Sequence, residues 1–105
     1  KTPATGRPGP NGSAPPADGV HGQAIGHLRE AVRLNPTDAR LHTQLGVALG
    51  KSGNYDAAIL SFRNALELDP ADATAHCYLG MALLERRKDD EAIPVLLESL
   101  RLDPK

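Results

Sequence analysis

The chain has 105 residues, of which 40% are hydrophobic and 24% are charged, and 13 acidic side chains nearly balance 12 basic ones. This length allows one small domain with a thin core. The charge balance argues against a nucleic-acid partner or an anionic membrane surface, since phosphate neutralisation needs clustered lysines and arginines. No apolar stretch approaches the roughly 20 residues that span a bilayer, so we expect no membrane insertion.

Residues 1–20 predict a flexible linker. The first 19 positions hold five prolines and four glycines, and almost no apolar side chain larger than alanine. Such a segment cannot bury enough surface to offset the roughly 1–2 kcal/mol per residue that ordering a backbone costs. We therefore expect a disordered Gly/Pro-rich arm. The chain begins with Lys1 rather than methionine, which indicates a fragment or a processed product of a longer protein.

Apolar residues recur at helical spacing from Gly22 onward. The first predicted helix ends at Pro36, which cannot continue it, and its apolar residues are spaced for one face: Ile25, Leu28, Ala31, Val32 and Leu34. The pattern then predicts four more helices, at about 39–52, 55–68, 73–86 and 90–102. The predicted fold class is therefore all-α, with about five antiparallel helices.

The predicted helix ends carry signals of their own. Asp38 and Asp72 are N-cap acceptors for the helices that follow them. Gly53 and Asn54 close the second helix, since both residue types tolerate the left-handed conformation that a helix C-terminus commonly needs. The run 85–91 mixes charges of both signs and predicts a solvated turn between the last two helices.

Three prolines, Pro36, Pro70 and Pro104, stand 34 residues apart, and each closes a similar phrase: Arg-Leu-Asn-Pro, Glu-Leu-Asp-Pro and Arg-Leu-Asp-Pro. A fixed period of this length is the signature of a repeat array, in which each unit buries its apolar face only against its neighbours. The period divides the chain into a half repeat at 21–38 and two full repeats at 39–72 and 73–105.

Small residues recur at equivalent places in the two repeats: Gly46 with Gly80 in the first helices, and Ala58 with Ala92 in the second. A glycine inside a helix costs roughly 1 kcal/mol relative to alanine. We therefore expect Gly46 and Gly80 to lie where two helices approach closely. Gly50 has no counterpart, since Leu84 stands at the equivalent position, and the sequence offers no reason for it.

With these residues the chain resembles the tetratricopeptide repeat (TPR) family, whose helix-turn-helix unit of about 34 residues favours Leu-Gly early in its first helix and a closing Pro. One repeat matches the family at Leu45, Gly46, Leu49, Ala58, Phe62, Ala65 and Pro70. The next matches at Leu79, Gly80, Leu83, Ala92, Leu96 and Pro104, with Ser99 replacing the usual late alanine. The preceding unit matches only in its second half, at Ala24, Leu28, Ala31 and Pro36. The resemblance implies a TPR solenoid of two full repeats plus the second helix of a preceding one.

Histidine stands at His42 and His76, where the family favours an aromatic residue near the start of each first helix. Stacked repeats would bring these equivalent positions within about 10 Å. A metal site needs further ligands at compatible spacing, and no Cys/His cluster supplies them. We therefore predict structural or surface histidines, with no metal and no cofactor. The lone Cys77 excludes an internal disulfide.

TPR arrays hold an extended or helical peptide on the concave face of their first helices. The resemblance places ten residues of this chain on that face: Arg40, Thr43, Gln44, Val47, Lys51, Thr74, Cys77, Tyr78, Met81 and Glu85. They form a small apolar patch flanked by polar and charged groups. The Lys/Asn carboxylate clamp with which some TPR proteins grip chaperone C-termini is missing, so we do not predict a chaperone adaptor.

The resemblance implies a non-enzymatic interaction module that binds a peptide or protein segment on this face. The sequence agrees, because it has neither a nucleophile elbow nor a phosphate-cradling glycine loop before a helix. One alternative is a regulatory or substrate-recruiting TPR segment of a larger enzyme, such as a glycosyltransferase. Another is a self-associating scaffold.

The self-association alternative rests on the two ends of the array. The last predicted helix contains a denser apolar surface than one neighbour covers: Val95, Leu96, Leu97 and Leu100. The helix that begins at Gly22 has no first-helix partner. Since each repeat leaves an apolar face for the next, we expect one or both terminal helices to pack on further repeats or on another copy of the chain.

Overall fold

The computed structural model describes residues 19–104, with side chains from Gly22 onward. These residues form helices and connecting turns without any strand, as the all-α prediction requires. The five helices are α1 (Gly19–Leu34), α2 (Ala39–Lys51), α3 (Tyr55–Leu68), α4 (Ala73–Glu85) and α5 (Asp89–Leu102). The predicted linker lies outside the described residues, apart from positions 19 and 20, with which α1 begins.

The two predicted N-caps are confirmed. The Asp38 carboxylate accepts a hydrogen bond from the backbone N–H of Arg40 at 3.0 Å. The Asp72 carboxylate accepts one from the N–H of Ala75 at 3.1 Å. Each carboxylate satisfies a backbone donor that the first turn of its helix leaves without a partner. The starts of α2 and α4 are therefore fixed by aspartates at equivalent positions of the two repeats.

The first helix of each repeat ends in the same hydrogen-bond pattern. The N–H of Asn54 bonds the carbonyl of Leu49 and that of Gly53 bonds Gly50, the two bonds of a Schellman motif. The same bonds recur one repeat later, from Lys88 to Leu83 and from Arg87 to Leu84. Gly53 has φ +88°, as predicted for a left-handed residue, whereas Asn54 has φ −91° and is not left-handed. The left-handed position of the second repeat is held by Arg87, with φ 61°.

The charged run 85–91 is not a single turn. Glu85 ends α4, residues 86–88 form the turn, and the three acidic residues that follow lie in the first turn of α5. Acidic side chains are favourable there because the N-terminus of a helix carries partial positive charge. The Arg86 guanidinium also reaches back to α3, donating from Nε to Asp56 Oδ1 at 2.9 Å. Through this contact the charged run links the second full repeat to the first.

The core is a single apolar cluster that runs along the stack. Each helix packs mainly on its neighbours in the chain: α1 on α2, α2 on α3, α3 on α4 and α4 on α5. Phe62 and Leu83 are the largest fully buried side chains, and the rest of the cluster comprises Leu45, Leu49, Ala58, Ile59, Leu79, Ala82 and Ala92. The prediction that Leu34 shares the apolar face of α1 is wrong. Leu34 is the last residue of that helix and its side chain is 63% exposed.

The prediction that Gly46 and Gly80 mark close helix contacts is confirmed. A Cβ atom at Gly46 would lie 2.6 Å from Cε1 of the buried Phe62. A Cβ atom at Gly80 would lie 2.5 Å from Cγ of Leu96. Both distances are shorter than carbon atoms in contact tolerate. Glycine therefore allows the second helix of each repeat to pack directly on the backbone of the first.

Candidate functional site

A groove runs between α2 and α4, the first helices of the two repeats. These helices make few direct contacts, because both pack on α3 instead. Adjoining pockets line the space between them, and nine of the ten predicted concave-face residues border at least one of those pockets. The tenth, Cys77, borders a neighbouring pocket between α4 and α5. The groove is therefore open along the face that the resemblance assigns to a peptide.

One pocket lies at the C-terminal ends of α2 and α4, has a volume of about 250 Å³ and is called the apolar pocket below. Five predicted residues border it: Val47, Lys51, Tyr78, Met81 and Glu85. Five others that the sequence reasoning did not assign to the site also border it: Gly46, Gly50, Tyr55, Phe62 and Ala82. Gly50 is the position that the sequence left unexplained, and it borders this pocket.

Tyr78 is the central side chain of the groove. Its ring stacks on that of Phe62, with centroids 5.8 Å apart and planes 11° from parallel. Tyr78 borders the apolar pocket and two neighbouring pockets. Since Phe62 is buried in the core, the stack fixes the wall of the groove to the interior of the domain.

The opposite end of the groove is polar. Arg40, Thr43, Gln44 and Thr74 surround a pocket there, together with the two aspartates that precede α4. Thr43 is buried, and its hydroxyl donates to the carbonyl of Ala39 at 3.2 Å. Its side chain thus belongs to the floor of the groove, with its hydrogen-bonding group already used within α2.

Cys77 lies on the α5 side of the groove. It shares a pocket with Met81 of α4 and with Ser99 and Leu100 of α5. The Ser99 hydroxyl donates to the carbonyl of Ala73 at 2.9 Å, which ties the two helices together. Serine in place of the family's late alanine therefore adds a hydrogen bond at this position.

The sequence model of the tetratricopeptide repeat family matches residues 43–105, more than half of the chain. The chain belongs to the tetratricopeptide repeat family. TPR units are protein-interaction modules, and that is the class of function to which this chain is assigned.

Solved TPR structures have the same arrangement of helices. One MamA structure (MamA MSR-1 C2) is 30% identical to this chain, with a TM-score of 0.76. That match covers 80% of the TPR chain and 48% of the MamA chain. YrrB, described as a TPR protein with an unusual peptide-binding site, is 27% identical with a TM-score of 0.77. That match covers 81% of the TPR chain and 44% of YrrB. The chain thus spans about half the length of these relatives. No curated protein sequence matches it significantly.

Two charged side chains flank the apolar pocket of the TPR chain without an ion pair among the described residues. Lys51 is the last residue of α2 and Glu85 the last residue of α4. By contrast, Arg63 and Arg86 form ion pairs outside the pocket, at 2.8 and 2.9 Å from carboxylate oxygens. Lys51 and Glu85 therefore place opposite charges on two sides of the pocket.

The two histidines of the TPR first helices make different contacts. His42 is buried, and its Nε2 lies 2.9 Å from the carbonyl oxygen of Pro36. His76 is half-buried, and its Nδ1 lies 3.1 Å from the carbonyl oxygen of Asp72. A carbonyl oxygen only accepts, so each of these ring nitrogens donates a hydrogen. Within residues 19–104 no three His, Cys, Asp or Glu side chains are placed to share a metal ion.

No helix in the described part of the chain combines the length and the apolar character that crossing a membrane requires.

Proposed function

We propose that the TPR chain binds a peptide segment of a partner protein in the groove between α2 and α4. The observation that carries this proposal is the apolar pocket, which is bordered by three aromatic rings and Met81 and is filled by no side chain of the described residues. Binding sites for peptides and small ligands are typically such concave apolar surfaces with a few polar groups at their edges. The polar end of the groove supplies such groups through Arg40 and Gln44.

The exposure of the groove supports the same proposal. Met81 borders the apolar pocket with a side chain that is 45% exposed. Large apolar side chains beside a pocket gain free energy when a partner covers them, at about 25 cal/mol per Å² of apolar surface removed from water. The likeness to YrrB, a TPR protein with a peptide-binding site, supports this class of ligand.

The test is a selection from a random peptide library on the immobilised chain, followed by calorimetric measurement of the dissociation constants of enriched peptides. Two variants locate the binding surface. They are matched, because each introduces one carboxylate in place of an exposed apolar helical residue. Met81→Glu alters the groove, whereas Leu60→Glu alters a residue of α3 that is 63% exposed and does not border the groove pockets described above.

We expect Met81→Glu to weaken binding at least about tenfold and Leu60→Glu to leave it within about twofold. Circular dichroism of both variants establishes that each remains folded. A library that enriches no peptide, or peptides whose affinity falls equally in the two variants, contradicts binding in the groove.

A second candidate function is self-association through α5. Ile93, Leu97 and Leu100 form a stripe on that helix, and Ile93 is 56% exposed. Its counterpart one repeat earlier, Ile59, is only 7% exposed, because α4 of the following repeat packs on α3. The equivalent surface of α5 is therefore an apolar helix-packing face, which a second copy of the chain would cover.

Light scattering behind size-exclusion chromatography, over a hundredfold range of concentration, tests this second candidate. We expect a dimer or larger species that Leu97→Lys converts to a monomer. A monomer at every concentration contradicts self-association and leaves the groove proposal unaffected.

The alternative that the chain is a substrate-recruiting segment of a larger enzyme depends on the domains to which the TPR unit is joined. It stays a prediction.

A further inference from the structure

We propose that Gly50 opens the apolar pocket, and that the pocket takes one bulky apolar side chain of a peptide that carries an acidic residue on one side of it and a basic residue on the other. This inference rests on the proposed function, since it names the part of a peptide that the groove recognises.

Gly50 is not required by the packing of the repeats. Gly46 and Gly80 are each in close contact with a side chain of the next helix, and Gly53 is left-handed. A Cβ atom at Gly50 would meet no heavy atom within 4 Å, and its φ is not positive. Glycine nevertheless costs roughly 1 kcal/mol in a helix relative to alanine. Its presence therefore lowers the stability of α2 without a gain in packing.

The position of Gly50 shows what it provides instead. Gly50 borders the apolar pocket, so any side chain there would extend into the open space beside it. The equivalent position of the next repeat is filled by Leu84. Gly26 of α1 also has open space around it but does not border the apolar pocket. The lack of a packing role is therefore shared by both glycines. Gly50 is distinguished by its place in the wall of the pocket.

The size and lining of the pocket define the side chain that it takes. A cavity of about 150 Å³ is known to hold a benzene-sized molecule. The pocket is larger, at about 250 Å³, and its lining is apolar apart from its edges: Val47, Tyr55, Phe62, Tyr78, Met81 and Ala82. Leucine, methionine and phenylalanine side chains therefore fit it in size and polarity, and Met81 and the aromatic rings are suited to contacts of this kind.

The charges beside the pocket define the flanking residues of the peptide. Lys51 lies on the α2 side and Glu85 on the α4 side, and neither forms an ion pair with another described residue. A peptide that crosses from α2 to α4 thus meets a cation before the pocket and an anion after it. Both groups border the pocket itself, and an extended chain advances about 3.3–3.6 Å per residue, so the proposal places the two charged residues of the peptide within two positions of the apolar side chain. Complementary charge favours an acidic residue near Lys51 and a basic one near Glu85.

Synthetic heptapeptides test the pocket directly, with blocked ends and a glycine background. The first probe carries a central leucine with aspartate two residues before it and lysine two residues after it. In the second probe alanine replaces the leucine, and in two further probes both charged residues are aspartate or both are lysine. Titrations of the isotope-labelled chain, followed by two-dimensional NMR of its backbone amides, report affinity and location together, and they remain measurable for weak binding.

We expect the first probe to shift the amides of Val47, Gly50 and Met81, and its alanine counterpart to bind about tenfold more weakly. The like-charged probes are expected to bind about threefold more weakly, since each forms one favourable and one unfavourable charge contact. Lys51→Glu is expected to reverse the preference, so that the two-lysine probe binds best. Equal affinities of the leucine and alanine probes overturn the proposal.

Two matched variants test the role of Gly50. Gly50→Leu introduces the residue of the next repeat into the pocket, and Gly26→Leu makes the same change at the open glycine outside it. We expect a loss of about tenfold or more in probe affinity for Gly50→Leu and a change within about twofold for Gly26→Leu. Both changes should raise the melting temperature, because leucine is the better helix former. The leucine and alanine probes on the unaltered chain make the test independent of how either variant folds.

The outcome separates this inference from the proposed function. If library-selected peptides lose affinity in Met81→Glu but not in Gly50→Leu, groove binding holds and the Gly50 pocket is wrong. If no peptide binds the groove, both proposals fail.

Discussion

The ring of Phe62 touches both first helices of the array, lying against Gly46 of α2 on one side and stacking on Tyr78 of α4 on another. Phe62 is 2% exposed and lies in the middle of α3. One buried side chain therefore sets the positions of the two helices that form the groove. The stability of the core and the shape of the candidate site are coupled through it.

Gly46→Ala should destabilise the domain by about 1–2 kcal/mol. The added methyl group overlaps three atoms of the buried Phe62 ring, at 2.6, 2.7 and 2.8 Å, so we expect an overpacking cost of about 2–3 kcal/mol, the upper part of the usual range. The gain in helix propensity offsets roughly 1 kcal/mol of it. Urea unfolding followed by circular dichroism measures the change in the free energy of unfolding. A variant as stable as the parent chain would show that α2 and α3 separate at little cost.

Gly80→Ala is the matched change in the second repeat, and it should lie within about 0.5 kcal/mol of the parent chain. The added methyl group would lie 2.5 Å from Cγ of Leu96, so the whole Leu96 side chain has to move, and because it is half-buried it has more room to do so than the buried Phe62 ring. The same propensity gain therefore offsets a smaller steric cost. A loss equal to that of Gly46→Ala would mean that Leu96 is held as firmly as Phe62.

The stacked pair should be energetically coupled. In a double-mutant cycle of Phe62→Leu and Tyr78→Leu, we expect a coupling free energy of about 0.5–1.5 kcal/mol, the range for aromatic pairs beyond their buried area. Denaturant unfolding of the four proteins supplies the cycle. A cycle with Tyr55→Leu in place of Tyr78→Leu is the control, since Phe62 and Tyr78 are the stacked pair among the described residues. Equal coupling in the two cycles would show that the stack adds nothing specific.

Arg87→Gly should stabilise the domain by about 0.5–1 kcal/mol, because glycine adopts the left-handed conformation without the steric cost that a side chain imposes. Arg87 has φ 61°, the position held by Gly53 in the preceding repeat. For a domain of this size, 1 kcal/mol corresponds to about 4–8 °C in melting temperature. Gly53→Ala is the reciprocal change and should lower the melting temperature by a similar amount. If Arg87→Gly lowers it instead, the arginine side chain contributes more than its backbone conformation costs.

The period of the sequence was sufficient to predict the fold, because each repeat packs its two helices together through residues at equivalent positions. The helical spacing of apolar residues predicted the helices, and the paired Gly46 and Gly80 predicted where the two helices of each repeat approach closely. The apolar pocket was not predictable in this way, since it depends on where the repeats differ. Gly50 occupies the repeat position that Leu84 holds in the next repeat. Only the three-dimensional arrangement shows that the missing side chain leaves a space in the pocket that Tyr78 borders.

The charged turn was predicted too broadly for a related reason. Its mixed charges indicate exposure, and the residues are exposed. Exposure does not distinguish a turn from a helix end, however, and acidic residues are favoured in the first turn of a helix. The predicted turn therefore overlapped the predicted helix at residues 90 and 91, and the helix begins one residue earlier than expected, at Asp89. Its first hydrogen bonds run from the N–H groups of Glu91 and Ala92 to the carbonyl of Lys88, which the pattern of charges does not show.

His42→Ala should destabilise the domain more than His76→Ala, although the two residues occupy equivalent positions. Removing the buried His42 ring deletes its packing and its hydrogen bond to Pro36, at a cost of about 2 kcal/mol. Removing the half-buried His76 ring should cost about 0.5–1 kcal/mol, because the Asp72 carbonyl that it contacts also accepts the backbone N–H of residue 76 and keeps that bond. Unfolding in urea, with circular dichroism as the signal, compares the two variants. Equal losses would mean that the contact with the preceding loop contributes nothing beyond what the helix already supplies.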